Sequence, residues 1–445
     1  MRTFFQPSKL KEFSQALRQY ISETMKTPIE LTENEIVQLS WYMDSTVVTP
    51  EATEKDIQAK LHFEIKRGLA RRYGFELLLR GDDDAYQEFI ASQKKGFQLS
   101  HERFDSLSAE ARAMSDDLKI AVKATCFLTL SENAKKVAVA PTDKTFSTDS
   151  EEFLSQLCGE SLALNKMIFP VLSTLTESQL SLMTKAFWPN MHFRHMLFTE
   201  GGVQMTKTFS DGVLSHQFSR DDFKIWKWRW LTNLFGFQLG QGAKCFDAPM
   251  SVLSRIVFSE LEKLFNAPTE NNFLKSYLLM RASIAEFNQM PQNDQLFLGH
   301  LAAYFHQINI MTPELGASLL AGYQQFNQAN RGNTVASAYV THCFNPQAVT
   351  PTYVPAVLNN AFVCFEKTMD EKSAVSLATK FMCQFLQSLY ACPIDQRISC
   401  MDLAQAKVLQ PVLTDWLSDH HAVQFEFVDG VAKRVRSVAL VCGSH

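Results

Sequence analysis

The sequence predicts a mostly α protein of many helices with one small antiparallel β element. Three observations point that way. Glycine and proline number 17 and 15 in 445 residues, below the roughly 7% and 5% of average usage, which disfavours turn-rich β architecture. Apolar residues recur at helical spacing through most of the chain, and Ser/Thr-x-x-Glu/Gln starts mark helix N-termini. Phenylalanine is the compositional anomaly, with 35 residues against 10 tyrosines. A phenyl ring buries a large apolar area with no hydrogen bond to satisfy, so the helices should meet through thick, dry interfaces. The length suggests roughly three domains. The patterns place them at 1–190 (helical), 191–245 (a central α+β insert) and 246–445 (a helical stack ending in a β-hairpin).

Along the chain, Ser8 opens a helix over 9–25. Thr32-Glu-Asn-Glu35 is a capping box, in which the Thr hydroxyl and the Glu carboxylate each satisfy an orphan amide at the helix start. Thr49-Pro50 sets proline at a first helical position, where its missing N–H costs nothing. The helix it opens is expected to reach Arg80, ahead of Gly81-Asp-Asp-Asp84. Thr148-Asp-Ser-Glu151 and Thr176-Glu-Ser-Gln179 repeat the box. Residues 119–139 read equally as helix or as short strands.

Residues 192–242 break the pattern, gathering His192, His195, His216, Trp226, Trp228, Trp230 and a cluster of glycines. Val203, Met205 and Phe209 alternate with polar neighbours, Asp211-Gly212 follows, and Leu214 and Phe218 resume the alternation. Asp-Gly between two period-2 runs is a strong hairpin signal, because glycine tolerates the positive φ of a tight turn. The expectation is a hairpin of 203–209 with 213–218, which sets Lys207 opposite His216 on an apolar face. A second hairpin is expected over 423–441 around Asp429-Gly430, and the two could pair, since a lone two-stranded ribbon is marginal. Ser219, Asp221 and Asp222 cap a helix over 220–235. On it Phe223, Trp226, Trp230 and Leu234 share a core face, while Trp228 points away among Lys224, Lys227 and Arg229. From 269 to 391 helix pairs recur at about 38–43 residues, with Thr312-Pro313 and Thr350-Pro351 as starts. That spacing suggests a repeat-like stack, although a helical bundle would give the same pattern.

Composition excludes several classes. The formal net charge is −4, without the basic footprint of a nucleic-acid binder. Nine cysteines occur without one C-x-x-C, so they read as reduced core residues of a cytoplasmic, reducing compartment. Met1-Arg-Thr-Phe-Phe-Gln-Pro7 lacks the basic head and apolar run of a signal peptide. No stretch approaches the roughly 18–20 apolar residues of a membrane span. No motif calls for a cofactor.

The candidate sites are modest. His192 and His195 would share a helix face and could chelate a metal with Glu200, Asp211 or His216, but H-x-x-H alone recurs by chance, so the pair reads as structural and no metal is expected. His342-Cys343 is adjacent in sequence only; side chains one residue apart on a helix diverge, so Cys343 reads as core. Gly236-Phe-Gln-Leu-Gly240-Gln-Gly242 follows a helix instead of joining a strand to a helix, so it reads as a helix stop and connector, not a phosphate loop. Ile120-Ala-Val-Lys123 has no kinase context around it. Asp82-Asp83-Asp84 reads as a solvated first turn. Lys66, Arg67, Arg71 and Arg72 form either a solvated face or a seat for an acidic or phosphate-bearing partner.

Two functional readings follow. The leading one is a non-enzymatic helical interaction module whose surface binds another protein, with Trp228, Lys224, Lys227 and Arg229 as the contact set, since tryptophan beside arginine is a hot-spot composition. The other is an enzyme of unfamiliar type with a polar site around His192, His195, Lys207, Asp211 and His216. In style the chain, helical and rich in Phe and Gln, resembles effectors that intracellular bacteria deliver into host cells. That resemblance implies a host protein as the partner.

Overall fold

In the computed structural model the chain is predominantly helical. The structure describes residues 7–43, 52–128, 132–139, 145–146, 150–187, 193–200, 202–237, 242–269, 272–305, 312–330, 335–347, 353–391, 400, 403, 405–418, 424–428 and 431–435. The chain forms two compact units, Met1–Asn190 with Ser215–Arg255, and Met191–Leu214 with Ile256–His445.

The first unit is arranged around one helix, Phe63–Arg80, which packs against Asp83–Ile90, His101–Arg112 and Arg220–Phe235. Two glycines allow those close approaches. A Cβ on Gly74 would lie 2.9 Å from the Phe235 ring, and one on Gly68 would lie 3.2 Å from the Cys126 carbonyl oxygen. His62 caps the start, its Nδ1 accepting from the Glu64 amide at 3.2 Å. Gly81 ends the helix in the left-handed conformation at φ 62°, which glycine adopts without a Cβ clash. The long helix expected from Pro50 is therefore two, Glu54–Ala59 and Phe63–Arg80, and a Thr53–Asp56 capping box starts the first. Thr49 and Pro50 lie outside the described residues. The boxes at Thr32–Glu35 and Thr176–Gln179 form with both reciprocal bonds. The box expected at Thr148 also lies outside the described residues, and that helix is Ser150–Cys158. The ambiguous 119–139 stretch holds two helices, Asp116–Thr125 and Glu132–Val139, and residues 129–131 between them lie outside the described residues.

The central hairpin does not form. Gly202–Thr206 is a 3-10 turn and Lys207–Leu214 an α-helix, so Lys207 and His216 are not cross-strand neighbours. The residues fit a helical period as well as a strand period. Met205, Thr206, Phe209 and Ser210 are buried on one face, while Lys207 and Asp211, four apart on the other, join as an ion pair. Such an i,i+4 pair favours the helix, and Asp-Gly alone could not outweigh it.

In the second unit Pro313–Ala329 packs most extensively on Glu371–Tyr390, so the second supposed pair lies against the third. Gly322 allows it, since a Cβ there would meet the Ser376 carbonyl oxygen at 2.2 Å. The first supposed pair also touches the third, in a smaller contact: Asn359 Nδ2 donates to the Tyr304 carbonyl at 2.7 Å, and Phe305 meets Phe362 edge-on. Thr312 does cap its helix with Pro313 in the first turn; Thr350 and Pro351 lie outside the described residues, and the helix that follows them is Val354–Glu366, behind Tyr353. Strands Gln424–Val428 and Val431–Val435 pair antiparallel, Val428 opposite Val431. Among the described residues no helix is long and apolar enough to cross a membrane, and the described cysteines are free thiols.

Gly299 tests the packing of this unit. It lies mid-helix in Gln292–Tyr304, where alanine is intrinsically better by about 1 kcal/mol. A Cβ there, however, would sit 2.2 Å from the Leu278 carbonyl oxygen. Gly299→Ala should therefore destabilise, by about 1–3 kcal/mol, in urea unfolding of the intact chain. A stabilised variant would mean that the two helices do not cross at that distance.

Candidate functional site

The residues singled out in the sequence do not assemble into one site. Lys207 and Asp211 neutralise each other at the surface of the second unit. His216 belongs to the first unit, exposed and at φ 58°. His192 lies outside the described residues, as does the side chain of His195, whose backbone is in the helix Phe193–Phe198. Among the described residues no three His, Cys, Asp or Glu side chains converge as metal ligands.

The tryptophan set is built into the first unit. Trp228 is 1% exposed. Its indole N–H donates to Glu110 Oε1 at 3.2 Å, and Lys227 Nζ donates to the same oxygen at 2.6 Å. Phe75 meets the Trp228 ring edge-on at 5.6 Å. Arg229 is buried, its guanidinium 4.0 Å from the Trp230 ring and 4.7 Å from that of Phe187. Lys224 pairs with Asp221. The face opposite Trp226 and Trp230 is thus covered by Phe63–Arg80 and His101–Arg112, and Trp228 is a core residue rather than an exposed contact.

The second unit holds a buried polar group that no sequence motif marks. His300 is fully buried, with Nδ1 2.7 Å from Thr199 Oγ1 and Nε2 3.1 Å from the Tyr390 hydroxyl. Thr199 gives its one hydroxyl proton to the Phe198 carbonyl. The imidazole must then donate from Nδ1 and accept at Nε2 from Tyr390, which sets the neutral tautomer. The Tyr304 and Tyr339 rings lie tilted against it, with centroids at 4.1 and 4.3 Å. Burial drives the His300 pKa well below its ordinary value and that of Tyr390 well above, so neither exchanges a proton near neutrality. The same burial pushes the Cys343 thiol far up and holds His342 neutral. That disables the adjacent pair as base and nucleophile.

A cleft of about 410 Å³ in the first unit is lined by Met25, Lys26, Tyr73, Gln87 and Glu88 among others. Its one buried carboxylate, Glu88, is already engaged by the Tyr73 hydroxyl, Thr27 and Arg80.

Helix Phe63–Arg80 is different, because it carries charge through a largely buried position. Arg67 pairs with Glu64 at 2.6 Å. Arg72 bridges Glu76 at 2.7 Å and Glu35 at 3.2 Å, with Lys123 also on Glu76. Arg80 holds Asp82 and Glu88. Arg71 is the exception. It is 7% exposed and makes no hydrogen bond or ion pair among the described residues; its Nε, like that of Arg67, is buried without a partner among them. Burial, then the repulsion of Arg67, brings its pKa down to about 10. Gly236 passes directly over these stems: a Cβ there would sit 2.4 Å from the Arg67 carbonyl oxygen and 2.7 Å from Arg71 Cγ. Beyond it Phe237 is 44% exposed, its ring 5.6 Å from the Arg67 guanidinium. Phe63, one turn before Arg67, is 53% exposed. The Lys66–Arg72 cluster was visible in the sequence. The signal that it is not a solvated face is Gly68 within it and Gly74 just after it, since a solvated helix has no need of close approach.

No family model, no curated protein and no solved structure matches this chain.

Two outcomes follow from these placements. Trp228→Ala should cost about 3–5 kcal/mol in chemical unfolding, as much as Trp226→Ala or Trp230→Ala; a Trp228 variant as stable as the wild type would return that side chain to the surface. His300 makes stability depend on pH. The unfolded imidazole titrates near roughly 6.5, whereas the folded one stays neutral far below that. Below the unfolded value the unfolded chain binds a proton that the folded chain refuses, so stability falls as the pH falls, by up to about 1.4 kcal/mol per pH unit for this group. His300→Gln should flatten the pH 7.5-to-5 stability profile, and an unchanged slope would mean that the imidazole titrates in the folded chain.

Proposed function

We propose that this chain is a helical interaction protein, and that its contact face lies on the first unit around Arg67, between Phe63 and Phe237. One observation carries the reading. Phe63 and Phe237 are the exposed phenylalanines among those whose side chains are described, the others being buried or half-buried. Single exposed apolar side chains are ordinary, but two aromatic rings flanking a guanidinium have the composition of an interface core. Arg67 supplies charge and the rings supply apolar area, so the fitting partner is a protein segment of alternating acidic and apolar side chains. The resemblance in style to delivered bacterial effectors makes that partner a host protein. The enzyme reading has no comparable support, because Lys207 and Asp211 satisfy each other and the buried thiols are held protonated.

The test places a photo-crosslinking amino acid at position 63, with position 102 as an exposed control, and follows the captured partner with purified components. Phe63→Ser, Phe237→Ser and Arg67→Glu should each weaken binding at least tenfold, about 1.4 kcal/mol, while the melting temperature moves little. Identical crosslinking at 63 and 102, or an affinity unaffected by all three variants, would contradict the reading.

A further inference from the structure

Three elements wall the cleft of the first unit: the end of the helix Pro7–Thr24 with Lys26 just beyond it, Tyr73 of the central helix, and Glu88 of Asp83–Ile90. At about 410 Å³ the cleft has room for a small organic molecule or one long side chain. Its walls are acidic. Glu88, 7% exposed, and the exposed Glu23 are the carboxylates among its lining residues, against one cation, Lys26. The helix end adds to that sign. The carbonyls of Ser22, Glu23 and Thr24 accept no hydrogen bond from the described residues, and the last turn of that helix holds no basic side chain. A helix C-terminus carries about half a negative charge, which a cation placed there offsets.

Glu88 is held unevenly. Its Oε2 accepts from the Tyr73 hydroxyl. Its Oε1 has only distant donors, the Thr27 hydroxyl at 3.3 Å, Arg80 Nη1 at 3.5 Å and Lys26 Nζ at 4.0 Å. Arg80 is committed elsewhere: its fork holds Asp82 at 2.9 and 3.1 Å, and its Nη1 donates to Thr27 at 2.5 Å. Glu23 accepts from the neutral amides of Gln19 and Gln58, at 2.8 and 2.7 Å, and forms no ion pair among the described residues. Lys26 makes no hydrogen bond among them either, and its side chain is 70% exposed. An ammonium on a loosely held side chain thus approaches the one oxygen of Glu88 that lacks a close partner. A buried carboxylate without a close counter-charge is costly, and a cation that enters the cleft relieves it.

We infer that this cleft binds a primary alkyl ammonium group, seated on Glu88 Oε1 in place of Lys26. A guanidinium fits less well, because its fork is matched by both oxygens of a carboxylate, and Oε2 already accepts from Tyr73. An ammonium carries three divergent donors, one for Oε1 and the others for the carbonyls at the helix end. An aliphatic diamine answers the second carboxylate as well, its far ammonium lying towards Glu23. The ligand is either a free aliphatic amine or the lysine side chain of a partner protein. The site does not depend on the Phe63 and Phe237 face.

The experiment titrates the full-length protein with linear diaminobutane and with butylamine, following melting temperature and heat of binding. Sodium chloride and tetramethylammonium chloride at matched ionic strength are the controls. Butylguanidinium and N-acetyl-lysine methylamide are titrated in parallel. The wild type should show a saturable rise in melting temperature with both amines that neither control salt reproduces, and butylguanidinium should bind more weakly than butylamine. Glu88→Gln should weaken amine binding at least tenfold. Lys26→Met, which removes the competing ammonium from an exposed position, should tighten it at least threefold. Lys11→Met, the same change of charge near the start of that helix, should leave it unchanged. The two lysine variants decide alone if Glu88→Gln does not fold. Tenfold tighter binding of the lysine derivative than of butylamine assigns the ligand to a partner protein; equal or weaker binding assigns it to a free amine. The inference is overturned by no saturable response in the wild type or an equal response to the control salts. It is overturned equally by butylguanidinium binding as tightly as butylamine, a folded Glu88→Gln variant binding like the wild type, or a Lys26→Met affinity no tighter than that of Lys11→Met.

Discussion

The first unit depends on one constraint: a helix buried on almost every side that carries seven charged side chains from Glu64 to Arg80. A helix covered all round normally reads as apolar throughout. Here the apolar positions and the glycines admit the neighbouring helices, and the charges must then be answered locally, because water is largely excluded. Glu35 and Lys123 arrive from other helices to complete that matching. The ion pairs thereby fix which helices lie against the central one. Removing one partner of such a pair leaves the other buried and uncompensated, so the network specifies arrangement more than it adds stability.

The second unit meets the same problem mostly with uncharged groups: an imidazole of fixed tautomer, tyrosine hydroxyls and protonated thiols, with the carboxylate of Glu200 buried in the same unit. Thr199 and Tyr390 supply the two hydrogen bonds that His300 can make, and aromatic rings fill the remaining space. The Tyr339 hydroxyl and His342 Nδ1 stand without a protein partner. Their ring carbons nonetheless pack against Tyr390. The two units thus differ in their response to solution conditions, the first through salt, the second through acid.

Much of the fold was legible where a signal is local. Capping boxes at Thr32 and Thr176 depend on four consecutive residues and form as read. The stretch 203–218 was misread because Val203, Met205 and Phe209 satisfy a period of two over a few residues, while the burial of Thr206 and Ser210 and the Lys207–Asp211 pair follow a period near four. Trp228 was ambiguous in the sequence because helical phase reveals direction but not what lies there; Glu110 and Phe75, more than a hundred residues away in chain position, cover it. The basic cluster at 66–72 was visible, but the sequence could not sort its members. Only the fold shows that Arg67 and Arg72 are paired while Arg71 is not.

The sorting of those arginines is the claim on which the rest stands, and comparing two isosteric replacements tests it most directly. Arg72→Met strips the buried Glu35 of its counter-charge and should cost about 3–5 kcal/mol in equilibrium unfolding. Arg71→Met removes a buried charge that has no acceptor, so stability should hold or rise. If the two variants lose stability equally, Arg71 is paired in the native chain, and the charge matching drawn for the central helix is wrong.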